Sequence, residues 1–239
     1  MLSFSGLAAL VTLAALETVL GIDNIVFISV VAGKLPPDQR PGARRLGLLL
    51  AMGSRILLLL GVGWLMSLTA SLFQIPWVNA DSGISGRDLI LILGGGFLLY
   101  KAVKEIHGKV EGRSSEGHRD VKAHTMAGVL TQIALIDLVF SLDSVITAVG
   151  MTQNIPVMIL AVMISVGVMI AAADPISRFV DDHPAIKILA LAFLVLIGVL
   201  LLAEGLGQHI NKGYIYFAMA FALLVELLQL RMDATQSRR

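Results

Sequence analysis

The sequence predicts an all-α polytopic membrane protein with seven transmembrane helices, and three observations carry that prediction. Hydrophobic residues make up 56% of the 239 positions and charged residues only 15%, against about a quarter charged in a globular chain. The charges gather in short stretches between apolar runs of about 20 residues, the length that crosses a hydrocarbon core of about 30 Å. Two of those runs also carry paired acids in matching patterns, 120 positions apart.

The seven runs cover approximately residues 7–31, 46–69, 88–100, 126–151, 156–173, 186–203 and 213–230. The first resembles a secretory signal in position only. It has no basic leader and runs too long, and Glu17 and Asp23 stand where a signal's apolar centre would be. It reads as a retained helix. The third run is short and is expected to borrow the aliphatic stems of Lys101 and Lys104. Asp174-Pro175 is expected to end the fifth, with Asp174 solvated, and Glu204 is expected to be a solvated acid near the opposite surface.

Basic residues set the orientation. With the N-terminus outside, fifteen Lys and Arg fall in the inner loops and only Arg87 and Lys212 in the outer ones. The positive-inside rule therefore puts the N-terminus outside and the C-terminus in the cytoplasm. There is no cysteine, so disulfides and thiolate metal ligation are excluded. No patch that interleaves basic and aromatic residues suggests nucleic acid.

The first acidic stretch reads Glu17-Thr-Val-Leu-Gly-Ile-Asp23-Asn24 and the second Asp137-Leu-Val-Phe-Ser-Leu-Asp143-Ser144. Placing residues 11–36 over 131–156 pairs Ala14 with Ala134, Val19 with Val139, Asp23 with Asp143 and Pro36 with Pro156. The segments 94–105 and 193–204 resemble each other as well, each ending in an acid. Repeat 1 is thus placed at about residues 7–105 and repeat 2 at about 126–206. A cytosolic linker at about 106–125 separates them, and a seventh helix follows at about 213–231. Three helices per copy is an odd number, so the second copy enters the membrane from the other side. Inverted repeats with polar residues at the midplane mark many secondary transporters, whose substrate sites lie at the repeat interface and whose repeats rock against each other.

A buried Asp costs about 2.5–3.5 kcal/mol on insertion scales, so four intramembrane acids cost on the order of 10 kcal/mol unless something offsets them. On a regular helix Glu17, Gly21 and Asn24 share a face, as do Asp137, Ser141 and Ser144. Gly21 and Ser141 permit close helix approach. Asp23 and Asp143 fall about 120° from the first acids on a regular helix of 3.6 residues per turn. Either they face a second surface of one cavity, or the helices unwind near Gly21 and Ser141 and offer carbonyl ligands; local unwinding is slightly favoured.

The donors collected by Glu17, Asp23, Asn24, Asp137, Asp143 and Ser144 are all oxygens, which suit Mn²⁺, Mg²⁺ or Ca²⁺ better than Zn²⁺ or Cu⁺. Arg55, inside the second run, is either a structural partner for one of the acids or a tethered counter-ion that fills the site when cation is absent. Gly94-Gly95-Gly96 reads as a close-packing element rather than a phosphate loop. The histidines His107, His118 and His124 of the linker match no metal-ligand spacing.

These stretches, with the segment 94–105 and Lys212-Gly-Tyr-Ile-Tyr-Phe-Ala-Met-Ala-Phe, resemble the TerC family of integral membrane proteins through nearly the whole chain. The resemblance implies a seven-helix bacterial inner-membrane protein among cation and small-solute exporters, linked to manganese efflux and to metal supply for exported enzymes. It implies site roles for Glu17, Asp23, Asn24, Asp137, Asp143 and Ser144. No counterpart of the soluble domains that some members carry is expected.

The leading expectation is therefore proton-coupled export of a divalent cation, Mn²⁺ favoured, by alternating access. The cation is substrate, and no permanent cofactor is expected. The alternative is a non-transporting scaffold that supplies metal to exported proteins. An enzyme is not expected: an intramembrane aspartyl protease would have to use Asp23 and Asp143, but the Gly-x-Gly-Asp sequence is missing. Expected partners are the lipid bilayer, the cation and protons, with no nucleic acid; a homo-oligomer or a secretion-linked partner is left open.

Overall fold

A computed structural model describes residues 4–73, 83–111, 125–152, 154–208 and 210–236. Eight helices run in order: α1 Phe4–Ala32, α2 Arg40–Leu60, α3 Val62–Ser67, α4 Gly86–Val110, α5 Met126–Met151, α6 Ile155–Asp182, α7 Pro184–Gly205 and α8 Lys212–Gln236. Two short antiparallel strands, β1 Ser71–Phe73 and β2 Ile84–Ser85, lie between α3 and α4. Among the described residues, five helices (α1, α5, α6, α7 and α8) are long and apolar enough to cross a membrane by length and composition. The chain is an all-α membrane protein.

Local sequence explains most helix starts. Prolines at the first turns of α2, α6 and α7 fix φ where no backbone donor is needed. Ser85 and Asp88 form a reciprocal capping box that begins α4: the Ser85 hydroxyl accepts from the Asp88 N–H at 3.2 Å, and Asp88 accepts from the Ser85 N–H at 2.9 Å. Thr125 caps α5 and Asn154 caps α6 through side-chain oxygens.

Three boundaries differ from the sequence expectation. The second run is two helices, because the chain turns at Gly61, whose N–H closes α2 onto Leu57 and Leu59. The third is not short: α4 has 25 residues and carries Lys101, Lys104 and Glu105 on its last turns. The fifth does not stop at Asp174-Pro175. The helix continues to Asp182 with Pro175 inside it, since a membrane helix tolerates one missing backbone donor when its neighbours hold it. Asp174 supplies part of that hold. Its side chain is 32% exposed, so it is partly solvated as expected, but it also accepts from Arg44 at 2.9 Å and Arg45 at 3.2 Å, both on α2.

Packing brings distant helices together. The most extensive pairings are α4 with α7, α1 with α6 and α2 with α5. Close approach in each depends on small residues. A Cβ on Gly95 would lie 2.7 Å from the Gly198 carbonyl, and one on Gly205 would lie 2.7 Å from the Asp88 carbonyl. A Cβ on Gly94 would meet Val139 of α5 at 2.5 Å, so Gly94 and Gly95 serve the close packing expected of them. Between α1 and α6, the Ser29 and Ser177 hydroxyls meet at 2.5 Å, both buried.

Two ends of the bundle follow from the ion pairs. At one, the C-terminal end of α1 and the last turns of α4 are joined by Lys34 and Glu105 at 2.5 Å, with the Asp174 cluster nearby in sequence on α6. At the other, the beginnings of α4 and α8 meet the end of α7. There Glu204 lies 3.7 Å from Arg87 and 3.4 Å from Lys212, with its side chain 12% exposed. Glu204 is a paired acid, not the solvated one expected, because both cations bracket it. Of the linker, residues 112–124, with His118 and His124, lie outside the described residues. His107 pairs with Glu111 at 3.0 Å on the last turn of α4.

Candidate cation site

Arg55 stands on the buried face of α2 with Arg44, Leu48 and Ala51, which fall at the i, i+4, i+7, i+11 positions of one helical stripe. Its side chain is 4% exposed. One guanidinium nitrogen, Nη1, donates to Glu17 of α1; the other, Nη2, donates to Asp137 of α5 at 3.3 Å. The two acids that hold equivalent places in the two halves thus share one cation. Arg55 Nε, also buried, has no hydrogen-bond partner among the described residues.

Asp137 is the more fully satisfied of the two. Its Oδ2 accepts from Ser54 at 2.9 Å and from Ser141 at 2.9 Å, while Oδ1 takes Arg55. Ser54 also lies 2.9 Å from the Ala51 carbonyl, so one hydroxyl proton serves two acceptors. Two carboxylates against one guanidinium leave a formal charge of about −1 on the triad, in surroundings where charge interactions are stronger than in water.

Beside the triad lies a cavity of about 220 Å³. Glu17, Asn24, Arg55 and Ser144 supply polar groups to its wall. The remainder is chiefly aliphatic and aromatic, including Leu13, Phe140, Leu201 and Tyr216. Met151 at the end of α5 and Lys212 at the start of α8 also line it, so the cavity extends toward the Glu204 end of the bundle.

The structure therefore brings Glu17, Asn24, Ser144 and Arg55 to one cavity and ties Asp137 and Ser141 to it through hydrogen bonds. The side chains of Asp23 and Asp143 lie outside the described residues. Their backbone is helical, and so is the backbone at Gly21 and Ser141. The favoured local unwinding is not found. Glu17 accepts from Arg55, and Asp137 from Arg55, Ser54 and Ser141, so these two acids find their donors on intact helices. Gly21 serves close approach instead: a Cβ would come 2.3 Å from Met169 Sδ of α6. Ser141 is completely buried and turns its hydroxyl to Asp137.

Sequence reasoning missed Ser54 and Lys212. Ser54 directly precedes Arg55, which was a signal that could have found it; nothing in the sequence places Lys212 on the wall of a cavity. Among the described residues, no group of three or more His, Asp or Glu side chains is gathered as a metal cluster.

The integral membrane protein TerC family model matches residues 2–239. The chain is 57% identical over 224 residues to a UPF0053 protein of Haemophilus influenzae, covering 94% of this chain and 93% of that one. It is 52% identical over 222 residues to the UPF0053 inner membrane protein YgdQ of Escherichia coli, covering 93% and 91%. It is 49% identical over 220 residues to the UPF0053 inner membrane protein YoaE of Escherichia coli, covering 92% of this chain but only 42% of that one. No solved structure matches the chain.

Proposed function

The chain belongs to the TerC family of integral membrane proteins, and from that premise we propose that it exports a divalent cation, Mn²⁺ foremost, across the bacterial inner membrane. The observation that carries the proposal is the meeting of Glu17 and Asp137 on the single guanidinium of Arg55, beside a cavity. Internal repetition supports it. Exchanging α1 with α5, α2 with α6 and α4 with α7 maps the three principal helix pairings onto themselves, as a two-fold relation between inverted three-helix repeats requires.

In this reading α2 and α4 join the five apolar helices to give seven crossings. Their charges sit near the helix ends or, for Arg55, in an internal ion pair. With the N-terminus outside, the cavity lies toward the outer end and the basic end faces the cytoplasm. The names of YgdQ and YoaE, both inner membrane proteins, support the choice of membrane.

The resting site holds Arg55 as its own cation. A divalent ion brings twice the charge to Glu17 and Asp137 and displaces the guanidinium. Asn24 and Ser144 add oxygen donors suited to a hard ion, and the sequence pattern assigns Asp23 and Asp143 to the same role. Protons compete for the same carboxylates, so protonation releases the metal and couples the two fluxes.

The test is flux into liposomes that contain only the purified protein. Mn²⁺ is expected to move when a pH gradient is imposed, and Asp23→Asn or Asp143→Asn is expected to abolish movement while elution from a sizing column stays unchanged. Undiminished flux in both variants rejects the proposal. Binding without flux in the unaltered protein turns the assignment to a metal-supplying scaffold.

A further inference from the structure

We infer that the bodies moving against each other are two helix pairs, α1/α6 and α2/α5, and that Asp174 with Arg44 and Arg45 is the clasp holding them closed at the basic end. The inference rests on the transport proposal above and adds to it the moving parts and three positioning residues.

Each pair is internally fastened. In α1/α6, Gly21 lies against Met169 and Ser29 against Ser177, at the same sequence offset, so the two helices run parallel. In α2/α5, Gly47 lies against Ile133, and Ser54 and Arg55 both bond Asp137. These helices are parallel too. Small residues and matched hydrogen bonds permit dense packing, which resists internal deformation. Each pair takes one helix from either half of the sequence. The seam between the pairs therefore does not follow the repeat boundary, and motion along it differs from the rocking of one repeat against the other expected from sequence.

Charge crosses this seam at two depths. In the middle, Arg55 of α2 reaches Glu17 of α1. At the basic end, Arg44 and Arg45 of α2 reach Asp174 of α6. At the cavity end the recorded ion pairs link α4, α7 and α8. Among the described residues none there joins the two pairs, and that is the end toward which the cavity extends. Helix α2 is thus a bar clasped twice on one buried stripe, by Arg44 and by Arg55. A cation that displaces Arg55 from Glu17 removes the middle clasp. The Asp174 clasp then alone holds the basic end shut, and its release lets the seam part there.

The absence of cysteine makes single-thiol labelling a direct test. Ile28 faces the seam: its Cγ2 lies 3.7 Å from where a Cβ on Gly47 would stand. Ser177 lies inside the α1/α6 pair. Ile28→Cys and Ser177→Cys proteins in liposomes are treated with a membrane-impermeant maleimide on the basic face. Asp174→Asn is expected to speed labelling at Ile28→Cys by about tenfold, the scale of a lost hydrogen bond between charged groups. Labelling at Ser177→Cys is expected to stay slow, and Asp174→Glu to keep both slow. Ala51→Cys on the α2 stripe is a second seam probe should Ile28→Cys not elute as folded protein. Equal seam labelling with and without Asp174 overturns the inference, and so does a parallel rise at Ser177→Cys. Neither readout involves metal, so failure of the transport proposal shows separately, in the flux assay.

Discussion

Arg55 is a buried charge that neither of its acids could leave without consequence. Removing one partner from a buried ionic group typically costs about 3–5 kcal/mol, because the remaining charge is stranded. Arg55→Gln strands two carboxylates, and a loss of that size is expected in denaturation of the detergent-solubilised protein. Ser54→Ala removes one donor to Asp137 and is expected to cost less, about 1.5–3 kcal/mol. Equal losses for the two variants would mean that Arg55 is not the principal support of the acids. The acids themselves were legible in the sequence because a charge at membrane depth is rare and theirs recur 120 positions apart. Their shared partner was not. Arg55 lies 38 residues from Glu17 and 82 from Asp137, and no local spacing rule spans such distances. Glu204 was misjudged for the same reason, and the partners of the still partly exposed Asp174 were missed: helices distant in sequence supply the cations of both.

At the scale of elements, glycine decides how near α4 and α7 can come. Any side chain at Gly95 meets backbone atoms of α7, at 2.7 Å to the Gly198 carbonyl and 3.0 Å to the Leu202 nitrogen. Backbone cannot turn aside as a side-chain tip can. Gly95→Val is expected to destabilise by about 1–3 kcal/mol, the usual range for overpacking. Gly96→Ala meets nothing within 4 Å and, Ala being the better helix former, is expected to leave the melting temperature unchanged or slightly raised, which makes it the control. A comparable drop in both would mean that contact with the α7 backbone is not what sets the cost at Gly95. Apolar length foretold most of the long helices, since a span must bury its own backbone bonds. It could not foretell the turn at Gly61, because the residues on both sides remain apolar. The unwinding favoured at Gly21 and Ser141 does not occur: Glu17 and Asp137 find a guanidinium and hydroxyls as donors, and the helices keep their own backbone bonds.

At the scale of the whole molecule, the halves interlock instead of standing side by side. α1 lies on α6 and α2 on α5, so a likeness between residues 11–36 and 131–156 becomes a shared interior. The repeated acids marked where the halves would converge, while the choice of helix partners depended on glycine and serine contacts that only the assembled bundle displays. The account as a whole turns on Arg55 being a resident cation that a divalent substrate displaces. Ligand binding stabilises the folded protein by RT ln(1 + L/Kd), with L the free ligand concentration, so the rise in melting temperature grows with affinity at fixed L. The most direct measurement is therefore the Mn²⁺-induced shift in melting temperature of the unaltered protein and of Arg55→Gln. With the internal competitor gone, the less stable Arg55→Gln protein is expected to gain more from Mn²⁺ than the unaltered protein does. An equal or smaller gain would contradict the account.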